Sequence, residues 1–396
     1  MRYLPGVLRA LFARVLRYLS WITNRVGKLL AMSLFARKPI VRKIVFANFD
    51  GLGPGCNPAA VLEALVNDPR FGEVDFIWLL NNQEFRDAAN KIGLVDRIQF
   101  VRRDGVRAWY HLSTASVWVF NTFKTGGRVR KRPSQMYVQT GHGSLGIKRV
   151  GRDVLGARSV TPISARTIDL YPCHSQFEMD VVAKALGVED RAELIGHPRA
   201  DVLVSASPYS KDMFREQLGL GSVSHVILFA PTFGTSFARE LPRILALLSQ
   251  SPSLLSDSTF LVRLHPRSNG TIRLGSSARD VSHIPNANPL LVASDVVISD
   301  YSSILFEALL IPDPPHAISF QQPDDRYHES PGLYFKFSRT PIDVVDSIDK
   351  LQTRIRTGPR KESLQIRNRF FSEQGLFEDG NASKRVVERI AQHMNL

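Results

Sequence analysis

One histidine in the segment YVQTGHGSLGIKRVG, residues 137–151, stands between two glycines, and two cations follow it. Gly141 and Gly143 let the backbone approach a ligand closely and leave its N–H groups available to an anion. His142 can take a proton from a hydroxyl or pair with a phosphate. A histidine at a strand end is more often structural, and the flanking glycines favour a functional interpretation. The segment therefore predicts acid–base chemistry beside an anionic group, with Lys148 close by.

The segment SDYSSILFEALL, residues 299–310, is a second candidate. Ser302 and Ser303 stand at the start of a predicted helix, where serine is a favoured N-cap, and a cap is the structural interpretation. Free N–H groups and the positive end of the helix dipole also make such a terminus a phosphate site. Glu307, one turn further on, can accept hydrogen bonds from a ribose. The segment thus predicts a nucleotide site as well as a cap.

Positive charge collects in VRLHPR, residues 262–267, directly after an apolar run. Arg263, His265 and Arg267 occupy alternate positions there. A solvated loop end would account for one arginine but not for all three residues. With the cations of other segments, they predict an electropositive cleft suited to a substrate that carries two or more phosphates. The other cations of the set are Lys148, Arg149 and Arg199.

No metal site or cofactor site is evident in the sequence. There is no Asp-x-Asp pair of the kind that holds a divalent ion on a nucleotide donor, and the histidines are scattered rather than paired at ligand spacing. The glycine fingerprints of dinucleotide and P-loop folds are also missing. We expect no metal and no cofactor, so protein cations and helix ends must stabilise the leaving group.

The apolar runs between these polar clusters predict the scaffold that positions them. Runs of strand length alternate with helical segments, which predicts parallel sheets covered on both faces by helices. A cluster of small, polar and proline residues at 204–212 interrupts the alternation, which then starts again. Two doubly wound, Rossmann-like α/β domains facing across a cleft are the simplest architecture, with ligands bound outside the carboxyl ends of the strands. The candidates at predicted strand ends are His142, Arg199, Thr232, Arg263 and Asp300.

Composition limits the class of protein. The chain has 396 residues, of which 44% are hydrophobic and 22% charged, and this is enough for two domains with separate cores. Two cysteines, Cys56 and Cys173, show no metal-ligand spacing and are too few for a disulfide framework. We expect both to be structural, in a reducing compartment.

The formal net charge of +14 is concentrated at the N-terminus, because residues 1–49 contain many arginines and lysines and no acid. Apolar residues recur there at helical spacing, which predicts a basic amphipathic helix lying on an anionic membrane surface. No apolar run approaches the ~20 residues that a spanning helix needs. A helix docked on the protein's own body is the alternative, and composition leaves an organelle transit peptide open. We divide the chain into a membrane-associating segment, 1–40, and two domains, 41–205 and 206–396.

Seven motifs, taken in order, resemble those of the CDP-glycerol glycerophosphotransferases, which build teichoic acids and related polyol-phosphate polymers. The resemblance runs from about residue 44 to about residue 335. It implies a GT-B fold and a peripheral position on the cytoplasmic face of the cell membrane, where lipid-linked acceptors lie. The motifs are FANFDGLGPGCNP, TASVWVFNTFKTGG, YVQTGHGSLGIKRVGRD, IGHPRADVL, ILFAPTFGTS, VRLHP and SDVVISDYSSILFEALL.

The resemblance implies that an acceptor hydroxyl attacks the β-phosphorus of CDP-glycerol and releases CMP. His142 matches the family's Trp-His-Gly histidine, the leading candidate for the catalytic base. His265 matches the His-Pro histidine, which binds phosphate or assists the transfer. Matched motif positions, together with the cations and polar groups described above, are expected to bind the donor. They are Gly143, Lys148, Arg199, Thr232, Arg263, Arg267, Asp300, Ser302, Ser303 and Glu307.

The chain departs from the family pattern at several positions. Gly141 replaces a tryptophan, His197 a tyrosine and Ala200 an asparagine. The motif FAPTFGTS also lacks the tryptophan, arginine and aspartate that often follow the family's Ala-Pro-Thr. These changes leave the nucleotide side intact and alter the acceptor side, so the transferred group or the acceptor is expected to differ from those of the best-known members.

Three functions remain open from the sequence. The first is a membrane-associated transferase that moves glycerol phosphate, or a related polyol phosphate, from a CDP-activated donor to a hydroxyl of a cell-envelope glycan or lipid-linked acceptor. The second keeps the fold and is a nucleotide-sugar glycosyltransferase. The third is a non-catalytic basic scaffold for anionic lipid or nucleic acid. No stacking aromatics alternate with the arginines beyond the N-terminal helix, so we expect no nucleic-acid partner and favour the transferase.

Overall fold

The computed structural model describes most of the chain, and the described part forms two α/β domains. It covers residues 32–81, 97–123, 129–143, 147–154, 166–221, 225–232, 235–248, 258–264, 278–284, 286–322, 327 and 329–396. The predicted basic helix falls largely in residues 1–31, which lie outside this part. Within it, no helix combines the length and the apolar character that crossing a membrane requires.

The first domain is built on a parallel sheet. Its strands are β1 (Val41–Ala47), β2 (Asp75–Leu80), β3 (Ile98–Arg102), β4 (Ala115–Phe120) and β5 (Met136–Gln139). They lie in the order β3-β2-β1-β4-β5. Phe46 pairs with Trp78 on one side and Val119 on the other, and this pairing sets the register at the centre of the sheet. The central strands are nearly continuous apolar runs, as expected where helices cover both faces.

Helices α1 (Cys56–Val66) and α2 (Val106–Thr114) cover the two faces of this sheet. Successive side chains of a strand point to opposite faces. Phe46 therefore lies in one core cluster with Leu62 of α1, and Val45 lies in the other with Leu112 of α2.

A short parallel pair extends the first domain beyond β5. It consists of β6 (Tyr171–Cys173) and β7 (Ala192–Leu194). The amide of Gln139 donates to the carbonyl of Leu170 (2.9 Å), which places this pair beside β5. A π-helical turn, Glu178–Ala183, continues into α3 (Lys184–Leu186) and connects the two strands.

The second domain repeats the doubly wound plan. Its strands are β8 (His225–Phe229), β9 (Ser258–Val262), β10 (Ala278–Asp280), β11 (Val296–Ser299), β12 (His316–Phe320) and β13 (Asp343–Val345). All neighbours are parallel, in the order β10-β9-β8-β11-β12-β13. This is the strand order of nucleotide-binding Rossmann domains, and the order reverses between β8 and β11, where such domains bind their ligands.

The helices that follow the first domain in the chain surround this second sheet, with one exception. They are α4 (Asp201–Val204), α5 (Pro208–Gln217), α6 (Ser236–Leu248), α7 (Asn288–Ala293), α8 (Ile304–Ala308), α9 (Ile348–Thr357), α10 (Ser363–Gln374) and α11 (Ala382–Met394). The exception is α11, which packs elsewhere.

Helix α11 returns to the first domain. Val386, Ile390 and Met394 lie in the same core cluster as Phe46. The carboxylate of Asp201 accepts hydrogen bonds from the amides of Ala382 and Ser383 and so holds the start of the helix (2.9 and 2.8 Å). The division at residue 205 assigned the whole C-terminal part to the second domain, and the structure corrects it here because the apolar stripe of α11 is buried against the first sheet.

The two doubly wound domains predicted from the sequence are confirmed, and so are the strands predicted from long apolar runs. Strands β6, β10, β12 and β13 were not predicted; β6, β10 and β13 have only three residues each, too few for a periodic pattern, and β12 has five. Strand β3 (IQFVR) was missed because it is amphipathic and short. Short edge strands take their conformation from the neighbour they pair with rather than from their own sequence.

Candidate active site

The loop after β1 lies where the strand order of the first sheet reverses, between β1 and β4. Phe49 and Asp50 adopt positive φ angles (42° and 60°), which L side chains rarely do. Asn121, directly after β4, accepts a hydrogen bond from the amide of Phe49 (2.8 Å) and donates one to Asn48 Oδ1 (2.7 Å). Strained backbone held by specific bonds is common at binding sites, and ligands bind at this point of a doubly wound sheet.

His142 follows β5 at the same edge and is exposed. Its Nδ1 lies 2.8 Å from the carbonyl oxygen of Asn121. A carbonyl only accepts, so this contact assigns the proton of the neutral ring to Nδ1 and leaves the lone pair on Nε2. The edge of the Phe49 ring packs against the imidazole, with 5.0 Å between ring centroids. The contact with Asn121 therefore directs Nε2, the nitrogen able to accept a proton, away from the backbone.

The backbone conformation at Gly141 does not accommodate a bulky residue directly before this histidine. Its φ is +58°, in the left-handed region that favours glycine. A Cβ atom added here would come within 3.2 Å of the hydroxyl of Tyr171. The tryptophan that the family pattern has at this position therefore does not fit the backbone of this chain.

Arg199 joins the two domains. Its Nη2 donates to Oε1 of Glu307 in α8 (2.7 Å), and its Nη1 lies 3.0 Å from Sγ of Cys56 at the start of α1. Its backbone amide donates to Oδ1 of Asn57 (3.0 Å). Burial alone would lower the pKa of Arg199, but Cys56 and Glu307 outweigh it, so the guanidinium remains charged.

Arg263 completes a cationic group around Glu307. It follows β9, and its backbone amide donates to the carbonyl of Phe229 (2.8 Å). Burial lowers the pKa of Arg263, and the charge of Glu307 opposes this shift. Ser303 Oγ donates to the same carboxylate at 3.5 Å. Arg199 and Ser303 therefore bond to Glu307, and Arg263 lies within range of its charge.

Asp300 is fully buried and organises the ligand edge of the second sheet. Its carboxylate accepts hydrogen bonds from the amide and hydroxyl of Thr232, from the hydroxyl of Thr235 (2.6 Å) and from the amide of Tyr301 (2.7 Å). Asp300 and Thr232 were both expected to bind the donor. The structure shows them bonded to each other, holding together the loops that follow β8 and β11.

Lys148 lies where the two domains meet. The segment around it pairs with a loop of the second domain: Arg149 N donates to Gly332 O (3.0 Å), and Tyr334 N donates to Ile147 O (2.9 Å). The ammonium lies 4.8 Å from the centroid of the Tyr327 ring. Burial lowers the pKa of Lys148 and the carboxylate of Asp300 opposes this shift. The charged form of the Lys148 amine is therefore less favoured here than in an exposed lysine, and an anion bound beside it would stabilise that form.

Of the remaining candidate site residues, Ser302 and Gly143 lie in the part of the chain that the structure describes. Ser302 Oγ accepts a hydrogen bond from the amide of Ile304 (3.4 Å), the first residue of α8, whose N-cap is Ser303 and carries no side-chain capping bond. The helix it precedes has five residues and is shorter than the predicted one, so its dipole is smaller than assumed. A Cβ added at Gly143 meets no atom of the described residues within 4 Å, so those residues leave room for a ligand there. His265 and Arg267 lie outside the described residues.

Sequence reasoning missed the residues that orient the candidates. Asn121 directly follows an apolar run, and that position was a signal that could have identified it. Thr235 and Asn57 carried no signal, because their roles depend on Asp300 and Arg199, which come from distant segments. Cys56 was expected to be structural, and its sulfur contacts a buried guanidinium at the domain boundary.

The family model of the CDP-glycerol:poly(glycerophosphate) glycerophosphotransferases matches residues 30–392. Two curated relatives are similar over most of their length. The teichoic acid poly(glycerol phosphate) polymerase of Bacillus spizizenii is 24% identical over 372 residues, covering 88% of this chain and 91% of that protein. The teichoic acid glycerol-phosphate transferase of Staphylococcus aureus is 23% identical over 408 residues, covering 93% and 99%.

Solved structures show the same fold. The wall teichoic acid polymerase TagF aligns with a TM-score of 0.77 at 23% identity, covering 97% of this chain and 98% of that one. The UDP-GlcNAc 2-epimerase of Neisseria meningitidis aligns with a TM-score of 0.52 at 12% identity, covering 88% of this chain and 100% of that one. These likenesses confirm the predicted GT-B architecture of two Rossmann-like domains.

Proposed function

Since the chain belongs to the CDP-glycerol:poly(glycerophosphate) glycerophosphotransferase family, we propose that it transfers glycerol phosphate, or a related polyol phosphate, from a CDP-activated donor to a hydroxyl group of a cell-envelope glycan or lipid-linked acceptor. The products are the extended acceptor and CMP. The teichoic acid enzymes among its relatives support this assignment. The observation that carries it is the orientation of His142, whose Nδ1 is held by the carbonyl of Asn121.

In the proposed reaction, Nε2 of His142 removes the proton of the acceptor hydroxyl as its oxygen attacks the β-phosphorus of the donor. The new bond joins the acceptor oxygen to that phosphorus. The bond between the β-phosphorus and the oxygen of CMP breaks, and the electron pair leaves with CMP. The imidazolium then gives its proton to solvent, which restores the base.

The cations around the cleft bind and neutralise the diphosphate. Arg199, Arg263 and Lys148 come from three segments of the two domains and are buried or half-buried, where charges interact strongly. Transferring negative charge to CMP is stabilised by such fixed cations. By their positions in the motif, His265 and Arg267 extend this set. Glu307 and Ser303 are proposed to lie at the nucleotide end, with Asp300 and Thr232 supporting the loops behind them.

We place the enzyme peripherally on the cytoplasmic face of the membrane through its basic N-terminal segment. The described end of that segment supports this position, because the side chain of Leu34 is 58% exposed beside Arg37 and Lys38. Val106 on α2 is also 55% exposed, and the ring of Tyr110 on the same helix packs against Phe35 (5.5 Å between centroids). Exposed apolar groups interspersed with cations favour an anionic bilayer surface.

A product assay tests the proposed function. Purified protein is incubated with CDP-glycerol, CDP-ribitol or a UDP-sugar and with a membrane extract as the source of acceptor, and the released nucleotide is identified. We expect CMP from a CDP-polyol, and loss of that product in the His142→Ala variant. Release of UDP would instead identify a glycosyltransferase, and absence of turnover with every donor would identify a non-catalytic basic protein.

A further inference from the structure

Two buried histidines lie side by side where the chain crosses between the domains. His174 follows β6 and His197 follows β7, and these strands are parallel neighbours, so their carboxyl ends meet. The imidazole rings are stacked, with 4.2 Å between centroids and 6° between planes. The side chains are 0% and 2% exposed. Neither ring belongs to the cleft chemistry described above.

One carboxylate lies at the Nε2 edge of both rings. Oε2 of Glu178 is 3.0 Å from Nε2 of His197 and 3.8 Å from Nε2 of His174, and it accepts a hydrogen bond from the amide of His174 (2.8 Å). A carboxylate 3.0 Å from Nε2 of His197 favours the tautomer of that ring with hydrogen on Nε2, which leaves the lone pair of this ring on Nδ1.

A second carboxylate lies at the opposite edge. Oε1 of Glu378 is 3.4 Å from Nδ1 of His174 and accepts a hydrogen bond from the amide of His197 (2.9 Å). Its side chain is 1% exposed. Glu378 Oε2 and His197 Nδ1 have no hydrogen-bond partner among the described residues. The lone pair of His197 Nδ1, the neighbouring imidazole of His174 and the carboxyl group of Glu378 thus lie together in a buried space, where a cation would satisfy them.

We propose that His174, His197 and Glu378 bind one divalent transition-metal ion, with Zn²⁺ as the fitting example. One nitrogen of each ring and one oxygen of Glu378 already lie within 4.8 Å of one another. Imidazole nitrogen and carboxylate oxygen are ligands that zinc prefers, at roughly 2.0–2.2 Å. A histidine that binds zinc commonly donates its other ring N–H to a carboxylate, which is the position of Glu178.

Ion binding requires a small rearrangement of the rings. Parallel stacking makes the two Nδ1 atoms point the same way, so they converge on one ion only when both carry their lone pair and the rings rotate out of the stack. The backbone around the site leaves little room for larger movement: a Cβ added at Gly196 would come within 2.8 Å of the Ala382 side chain. We therefore expect ring rotation with the backbone unchanged.

The ion would be structural. His174 and His197 belong to the first domain, whereas Glu378 lies in the segment that leads from α10 of the second domain to α11. Backbone bonds already dock this segment, since Phe377 N donates to His174 O (2.7 Å) and Gln176 N donates to Gly375 O (3.0 Å). A metal–ligand bond to Glu378 would fix this crossing. No ligand spacing was apparent in the sequence because the three residues come from separate segments.

Zinc titration of the full chain tests the proposal. After treatment with a chelator, the protein is mixed with excess ZnCl₂, passed through a desalting column and analysed for metal. We expect about one equivalent of retained zinc, and a rise of a few degrees in Tm in the presence of zinc. Mg²⁺ and Ca²⁺ should give neither effect, because they prefer sites made of oxygen ligands.

Two variants locate the ion. Glu378→Gln keeps the shape and the hydrogen bond to the amide of His197 but removes the anionic ligand, and His197→Gln removes a nitrogen ligand. Both should lose the bound zinc and the zinc-dependent rise in Tm. His283→Gln changes an exposed histidine elsewhere and should keep both. Zinc retention by Glu378→Gln equal to that of the unmodified chain, or no retention by the unmodified chain, would overturn the proposal.

Discussion

Arg199 Nη2 lies 2.7 Å from Glu307 Oε1, and this ion pair joins the segment after β7 to α8 of the other domain. The two side chains are 10% and 8% exposed. The pair therefore holds the two halves of the cleft in a fixed relation at the point where the donor is proposed to bind.

Loss of one partner of this pair should destabilise the protein. Arg199→Ala leaves the carboxylate of Glu307 buried without its guanidinium, which typically costs about 3–5 kcal/mol. Thermal or urea unfolding measures the loss. Arg339→Ala is the matched control, since Arg339 pairs with Glu373 on the surface at 66% and 41% exposure and should change the free energy of unfolding by less than ~1 kcal/mol. Equal stability of the two variants would contradict a structural role for Arg199.

His142→Ala should reduce kcat for CMP release by about 10²- to 10⁴-fold, because the general base is lost. The KM for the donor should stay nearly unchanged, since the cations that bind the diphosphate remain. Steady-state kinetics with CDP-glycerol separates the two parameters. The exposed histidine variant His283→Ala should retain full activity. A rise in KM with unchanged kcat would show that His142 binds the donor rather than taking the proton.

Donor affinity should fall as the pH rises, and Lys148 should be the cause. Burial lowers the pKa of Lys148, so the amine becomes neutral at a lower pH than an exposed lysine and no longer attracts phosphate. Calorimetric titration of CDP-glycerol into the His142→Ala background, repeated at increasing pH, measures this loss. Lys148→Arg should bind with little dependence on pH because a guanidinium stays charged. Identical pH profiles for lysine and arginine would exclude Lys148 as the titrating group.

Asp300 and Ser302 should respond differently to alanine. Asp300→Ala removes the carboxylate that accepts hydrogen bonds from the amide and hydroxyl of Thr232 and from the amide of Tyr301, at about 1–3 kcal/mol for each buried group left unsatisfied. Tm should fall clearly and transfer should be lost. Ser302→Ala should keep Tm close to the original value and raise the KM for the donor. A Tm for Asp300→Ala equal to that of Ser302→Ala would contradict the organising role of Asp300.

Removal of residues 1–38 should release the protein from anionic vesicles and leave transfer to a soluble acceptor analogue intact. The basic residues of this segment contribute about 1 kcal/mol each near such a surface. Sedimentation with anionic vesicles measures binding, and neutral vesicles serve as the control. Binding by the longer chain should weaken with added salt because the attraction is screened. Continued sedimentation of the truncated chain would place the membrane contact elsewhere.

Much of the fold could be predicted because buried parallel strands are continuous apolar runs. VFA in β1 and VVIS in β11 are examples, and the polar residues that follow them fall at the ligand edge by topology alone. The return of α11 could not be predicted in the same way. Its apolar stripe shows only that one face is buried, and either domain offers a surface that would bury it.

The candidate site was predictable in its residue types and not in its contacts. His142, Arg199 and Glu307 were identified by motif, but the partners that orient them come from other segments. The tautomer of His142 depends on a backbone carbonyl, which has no signature in the side-chain sequence. Asp300 shows a second limit of prediction from sequence. An aspartate that binds a ligand cannot be distinguished by residue type from one that holds a loop.

The packing of α11 also bears on how the protein is made. Ribosomes deliver a chain from its N-terminus, so the first sheet is synthesised long before Val386, Ile390 and Met394, which complete the core beside Phe46. Until then the nascent chain presents an uncovered apolar face, a surface on which chaperones act and aggregation begins. A chain terminated before residue 382 keeps that face uncovered permanently. Only chains that contain α11 can therefore cover this apolar face.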